Sequence, residues 1–205
     1  MSLAELICPA GTPAALRTAV DAGADAVYCG FQNATNARNF PGLNFTPDEL
    51  RQSVVYAHAK GTKVLLALNT YPPAGKVGFW RQAADIAAGH GVDAFIVADM
   101  GVAEYLAQNY PGIRLHLSVQ AAASSPEAIR YYCEHFGVKR VVLPRILTIP
   151  EIREIRKEIP CEIETFIFGN HGLMVEVATR RRIGLNATMH SRNQSVSISP
   201  GCYPN

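Results

Sequence analysis

A chain of 205 residues, 48% apolar and 18% charged, is long enough for one domain with a substantial core, short for two, and outside the disordered, collagen-like and coiled-coil classes. Its net charge of +2 is unevenly placed, because residues 177–205 carry Arg180, Arg181, Arg182 and Arg192 and no acid, leaving about −2 for residues 1–176. The body therefore lacks the basic surplus of a nucleic-acid binder, and no nucleic-acid partner is expected.

In chain order, strand-like runs stand at Leu6–Cys8, Ala26–Cys29, Lys63–Asn69, Ala94–Asp99, Arg114–Val119, Arg140–Leu143 and Glu162–Phe168, alternating with helical stretches. Three helices announce their starts with a hydroxyl N-cap and proline at N1: Thr12-Pro13 before Ala14–Ala22, Thr46-Pro47 before Asp48–Lys60, and Ser125-Pro126 before Glu127–Phe136. Gly23, Gly61, Gly91 and Gly137 each end a helical stretch and precede a strand, as a left-handed C′ residue does. Ala22-Gly23-Ala24-Asp25-Ala26 and His90-Gly91-Val92-Asp93-Ala94 are near-repeats of one helix-to-strand turn.

Seven βα units in series imply parallel strands and right-handed crossovers, which fits a (β/α)8 TIM-barrel-like α/β fold with its last unit incomplete or irregular. A doubly wound open sheet is the runner-up, weakened because Pro9-Ala10-Gly11-Thr12 follows the first strand where Gly-x-Gly-x-x-Gly would stand. The eighth strand has only one weak candidate, Ser195–Ser199. No basic, apolar leader follows Met1 and no run of 18 apolar residues occurs, so no membrane span and a cytoplasmic location are expected. The five cysteines are odd in number and irregularly spaced, without a Cys-x-x-Cys pair, which argues against a disulfide framework and leaves zinc without a local signature.

Barrels of this type gather their chemistry at the C-terminal ends of the strands. Those ends are polar here: Asn69-Thr70, Asp99, Ser118-Val119-Gln120, Pro144-Arg145 and Gly169-Asn170-His171. Period-two alternation puts His116, Ser118 and Gln120 on one face, pointing into the barrel, with Leu115, Leu117 and Val119 on the other. His116 is then a catalytic candidate or a satisfied core histidine. Asp99 is either a base or the N-cap of the helix that follows. Arg145 suits a carboxylate or phosphate, or else a structural ion pair with Glu151. Glu164, inside a strand, must be paired or catalytic. The long loop Phe31–Phe45 holds Gln32, Asn33, Asn36, Asn39, Asn44 and Arg38; it is either functional or a capping loop of Asx turns. The candidate catalytic residues are thus Asp99, His116 and Glu164, and the candidate substrate-binding residues Arg38, Asn69, Ser118, Gln120 and Arg145.

Several segments together resemble the collagenase-like peptidase U32 family: Cys8-Pro9-Ala10-Gly11, Ala19 through Tyr28, Leu68-Asn69-Thr70, His116 through Gln120, and Arg140 through Arg145. Thr35 through Phe40, Gly42 through Thr46 and Ile96 through Asp99 resemble, more narrowly, its branch for oxygen-independent ubiquinone biosynthesis. The resemblance runs from about residue 5 to residue 176. It implies a barrel that pairs with a paralogous U32 protein, carries a four-iron, four-sulfur (4Fe-4S) cluster, and supports hydroxylation of quinone precursors with prephenate as the oxygen source. A small anionic aromatic or quinone-precursor substrate follows. A non-catalytic barrel serving as a scaffold is the alternative; a peptidase is weaker still, since no Ser/His/Asp, Cys/His or metal-binding arrangement appears.

The family signature, Glu-x-Phe-x-x-Gly-Ser/Ala-aliphatic-Cys followed by four residues and Gly-x-Cys, is met at Glu164, Phe166 and Gly169 and then lost. By alignment Gly172, Thr179 and Ile198 stand at family cysteine positions, and Cys202 fits none. A cubane normally needs four thiolates, so this chain is not expected to bind one in the family's way. Residues 1–176 read as the barrel domain and 177–205 as an atypical basic tail. Three explanations of the tail stand open: a cluster-free relative, a truncated fragment, or an altered reading frame or sequence.

Overall fold

The computed structural model describes residues 4–168 and 173–177. Six strand–helix pairs come first: β1 Glu5–Pro9 and α1 Pro13–Asp21, β2 Ala26–Gly30 and α2 Pro47–His58, β3 Lys63–Leu68 and α3 Val77–Gly89, β4 Ala94–Val97 and α4 Met100–Asn109, β5 Arg114–Leu117 and α5 Pro126–Phe136, β6 Arg140–Val142 and α6 Ile149–Glu158. They are followed by β7 Glu162–Phe168 and β8 Leu173–Val177. The strands form a closed barrel in sequence order, parallel from β1 to β7. This is the expected TIM-barrel-like fold, with an irregular last unit.

The irregularity is a correction in detail. β8 lies antiparallel to both neighbours, pairing Ile7 with Met174 on one side and Thr165 with Val175 on the other. Only four residues lie between β7 and β8, whereas a parallel connection needs a dozen or more, which accords with the antiparallel pairing. Ser195–Ser199, the strand expected to close the barrel, lies outside the described residues, as does the stretch 178–205.

Local chemistry explains the elements. Thr12, Thr46 and Ser125 accept hydrogen bonds from the N3 backbone of α1, α2 and α5, each with proline in the first turn. Thr148 does the same for α6 and forms a full capping box with Glu151. That box engages the carboxylate that sequence spacing offered as a partner for Arg145. Gly137 ends α5 at φ +67°, and the equivalent Gly91 takes +83°. The two near-repeat turns do one job twice: Asp25 accepts from Leu6 N at 2.7 Å, and Asp93 from Val64 N at 2.7 Å. In each, a carboxylate beginning one strand ties down the backbone of the strand before it.

Two cores follow from period-two alternation along the strands. Outside the sheet, residues such as Val27, Leu66, Phe95, Leu117 and Val141 meet buried helix positions, including Leu16 and Val20 of α1 and Leu50 and Val54 of α2. Inside the barrel, Ile7, Ala26, Leu65, Ala94, Ile96 and Val142 form a separate apolar cluster. Tyr28, Val119 and Phe166 pack against its upper side.

Candidate active site at the barrel mouth

The lumen is layered. At its floor, the first residues of five strands make one chain of ion pairs. Lys63 reaches Glu5 at 3.0 Å, Glu5 meets Arg140 at 2.8 Å, Arg140 meets Glu162 at 2.7 Å, and Glu162 meets Arg114 at 2.6 Å. Arg140 is the hinge of this chain and is only 4% exposed.

Two residues further along β5 and β7 stand His116 and Glu164, both fully buried. Their closest approach, Nδ1 to Oε2, is 3.9 Å, beyond hydrogen-bond distance, and Arg140 Nη1 lies 3.8 Å from the same carboxylate oxygen. Burial pushes the Glu164 carboxyl up to about 7, with Arg140 pulling the other way. Burial also holds the His116 imidazole well below its usual range, and Arg140 and Arg114 add to that. Both are pushed toward their neutral forms, and at 3.9 Å they make no hydrogen-bonded ion pair.

The mouth is built from the ends of β2, β6 and β7 and from the loop 31–45. Arg38 Nη1 donates to the Tyr28 hydroxyl at 3.4 Å, and the Arg145 guanidinium lies 3.6 Å from the Phe166 ring centroid. Burial raises the Tyr28 phenol, and Arg38 and Arg145 both act against that, so the two cations converge on one aromatic side chain. Neither Tyr28 nor Phe166 is among the candidate site residues drawn from the sequence. A readable signal for Tyr28 existed: a large polar-tipped residue between Ala26 and Gly30 on the inward face.

The amides of the loop brace the loop itself. Asn36 donates to Asn44 Oδ1 at 2.8 Å, Asn44 donates to the Arg38 carbonyl at 2.8 Å, and Asn33 accepts from Thr35 N and Oγ1. Asn44 takes φ +77° to do this. Gly30 is required beneath it, because a Cβ there would lie 2.3 Å from Asn36 Nδ2. Asx contacts at Asn33 and Asn36, together with the Asn36–Asn44 pair, thus brace the loop that carries Arg38.

The other predicted residues occupy distinct places. Asn69 accepts from Ala37 N at 2.9 Å and reaches Ser118 Oγ at 3.5 Å, fastening the loop to β3 and β5. Asp99 is the N-cap of α4, accepting from Val102 N at 3.0 Å. Ser118 is buried and its hydroxyl accepts from Gln120 N, capping a 3₁₀ turn over Val119–Ala121. That turn corrects the period-two reading: β5 ends at Leu117, Val119 swings to the lumen cluster, and Gln120 becomes exposed instead of continuing the face of His116 and Ser118. Gly169-Asn170-His171 lie outside the described residues.

The residues fit an iron–sulfur cluster poorly. Gly172 and Ile198, expected from the resemblance to stand at family cysteine positions, carry no side-chain donor atom, and with Thr179 they lie outside the described residues. Cys29 is buried on the helix side of β2, its thiol pushed up to about 12 by burial; Cys133 and Cys161 neighbour each other behind β7. Among the described residues no three His, Cys, Asp or Glu side chains group as metal ligands. Nor, among them, is any helix long and apolar enough to cross a membrane.

Comparison with known proteins follows the same lines. An uncharacterized protease of Methanocaldococcus jannaschii is 36% identical over 174 residues, 82% of this chain and 41% of that protein. The tRNA hydroxylation protein P of Helicobacter pylori is 34% identical over 171 residues, 83% of this chain and 40% of its own length. The chain thus spans about two fifths of these relatives. The solved structure of the U32 peptidase Mk0906 superposes with a TM-score of 0.68 at 23% identity, covering 80% of this chain and 69% of that one, which speaks for the fold alone. The sequence model of peptidase family U32 matches residues 11–183, and the chain belongs to that family.

Proposed function

We propose that this chain is the substrate-holding barrel of a hydroxylation protein, and that its mouth grips a small carboxylate-bearing molecule between Arg38 and Arg145. The observation that carries the reading is the pairing of each arginine with an aromatic ring at the same end of the barrel, Arg38 with Tyr28 and Arg145 with Phe166. Guanidinium groups bind carboxylates in bidentate fashion, and the adjacent rings offer a planar surface for an aromatic or enolic body. Asn69 and Ser118 hold the wall between them, and His116 and Glu164 lie one layer below.

The target of hydroxylation is read from the relatives. A relative named for tRNA hydroxylation favours a base in RNA. The slightly acidic body argues against a broad phosphate-gripping surface on this stretch of chain, and is compatible with one base presented at the mouth. A second reading, hydroxylation of a quinone precursor together with a paralogous U32 protein, is favoured by the resemblance of the loop around Arg38 and of Ile96–Asp99 to that branch. Neither reading routes a step through an iron–sulfur cluster held by this stretch.

Two measurements test the proposal. Titration of the full chain with benzoate is expected to show binding that Arg145→Ala abolishes while the circular dichroism and melting curve stay unchanged. Binding that survives the substitution rejects the mouth assignment. Mass spectrometry of tRNA nucleosides and of quinone intermediates from cells lacking the protein then separates the readings: loss of a nucleoside carrying one extra oxygen supports the first, and accumulation of an unhydroxylated quinone precursor supports the second.

A further inference from the structure

Beneath the mouth, four side-chain atoms are buried without a hydrogen-bond partner among the described residues: His116 Nδ1 and Nε2, and Glu164 Oε1 and Oε2. They belong to two residues that face each other at 3.9 Å on strands β5 and β7, which are separated by β6 alone. A buried polar group that neither bonds nor charges is rare, because each one left open costs on the order of 1–3 kcal/mol. Here the openings are complementary. A protonated carboxyl donates, a neutral imidazole nitrogen accepts, and the remaining positions suit internal water.

We infer that His116 and Glu164 form a buried proton-binding site in the barrel lumen, with Glu164 as the neutral acid that holds the proton and His116 as the neutral base that faces it at 3.9 Å. The surrounding charges set this state. From the floor, Glu5, Lys63, Arg114, Arg140 and Glu162 face the pair, and Tyr28 faces it from β2. The floor carries three cations against two anions, a surplus that disfavours a second positive charge on His116 and opposes, without overcoming, the effect of burial on Glu164. Glu176 of β8 stands in register with Glu164 and with Glu5, and is therefore included as a control below. The site lies two residues along each strand from Ser118 and Phe166, a step of about 6.6 Å at ordinary strand rise, so a proton held there is adjacent to whatever occupies the mouth. The proton site stands without the functional reading above; only its use as an acid toward a mouth ligand rests on that reading.

Infrared spectroscopy of the full chain, with glutamate isotope-labelled at the carboxyl carbon, tests the site. The expected result is a protonated glutamate carbonyl absorption that persists at pH 6 and fades as pH rises through about 7. It should vanish in Glu164→Gln, survive in Glu176→Gln, and titrate at lower pH in His116→Leu, because loss of the facing acceptor destabilises the protonated form. Should Glu164→Gln fail to fold, the labelled wild type and His116→Leu still decide the matter. A glutamate absorption that titrates only in the ordinary carboxylic range, one removed by Glu176→Gln, or a midpoint that His116→Leu leaves unmoved overturns the inference. The outcome is independent of benzoate binding at the mouth, so failure of either proposal is read separately.

Discussion

At the floor of the barrel, five strands begin with a charged residue, and every one of those charges has an opposite within 3.0 Å. One step higher, His116 and Glu164 have no partner at hydrogen-bond distance among the described residues, and both are pushed toward their neutral forms. The residue types are alike, and access to water separates them. Glu5 and Glu162 keep 27% and 34% of their side chains exposed, enough for solvation to sustain the charge, while Glu164 keeps none. The same carboxylate is an ion where the lumen opens and an acid where it closes.

Removing the hinge of the floor is the strongest way to break this contrast. Arg140→Met strips Glu5 and Glu162 of their shared partner and takes away a cation that lies 3.8 Å from Glu164. Loss of one member of a buried network costs about 3–5 kcal/mol, and the partial exposure of the two acids places this case near the lower figure, about 3 kcal/mol. Urea denaturation at pH 7 measures it; a loss under 1 kcal/mol shows the floor to be ornamental to stability. At the mouth, Gly30→Ala drives a methyl into Asn36 and is expected to cost roughly 1–3 kcal/mol by overpacking. It should also weaken benzoate binding, because the braced loop seats Arg38.

Much of this was legible beforehand, and the omissions have physical causes. Helix starts, glycine stops and the seven parallel strands are local signals, carried by Thr12, Thr46, Ser125 and Gly137 and their neighbours, and they emerged where the spacing placed them. Closure by Leu173–Val177 was missed because an antiparallel return depends on pairing with Leu6 and Thr165, far away in sequence or on a separate strand, and not on any local pattern. The ion-pair floor was missed for the same reason. Arg114, Arg140 and Glu162 are unremarkable singly and acquire meaning only when the barrel brings their strand starts together. The inward face of β5 was read correctly at His116 and Ser118 and incorrectly beyond, because the hydroxyl of Ser118 bends the backbone into a turn that alternation does not encode.

The middle layer makes an unusual pH signature. For Glu164 the folded value lies above the unfolded one, so its contribution grows as pH falls from about 7 toward the ordinary glutamate value. For His116 the folded value lies below the ordinary 6.5, so its contribution shrinks as pH falls below 6.5. Between these limits the two oppose, and the wild type should be nearly flat as far as this pair is concerned. Glu164→Gln should expose the histidine alone, with stability falling by up to about 1.4 kcal/mol per pH unit below 6.5. His116→Asn should show the reverse slope, rising as pH falls below about 7. Denaturation at half-unit pH steps measures both, and parallel slopes in the two variants refute the opposition.

The smallest effect sharpens the boundary between scaffold and chemistry at the mouth. Asp99 caps α4 through Val102 N, and asparagine serves that role about as well as aspartate, so Asp99→Asn is expected to change stability by only a few tenths of a kcal/mol. Asp99→Ala removes the acceptor and should cost about 1 kcal/mol. A cap depends on the oxygen and not on the charge, whereas a base depends on the charge. Equal benzoate binding and equal hydroxylated product in Asp99→Asn therefore leave Asp99 on the structural side, together with Asn69. Loss of product with an unchanged melting curve moves it to the catalytic side, because no change in helix capping explains a defect that the isosteric amide alone creates.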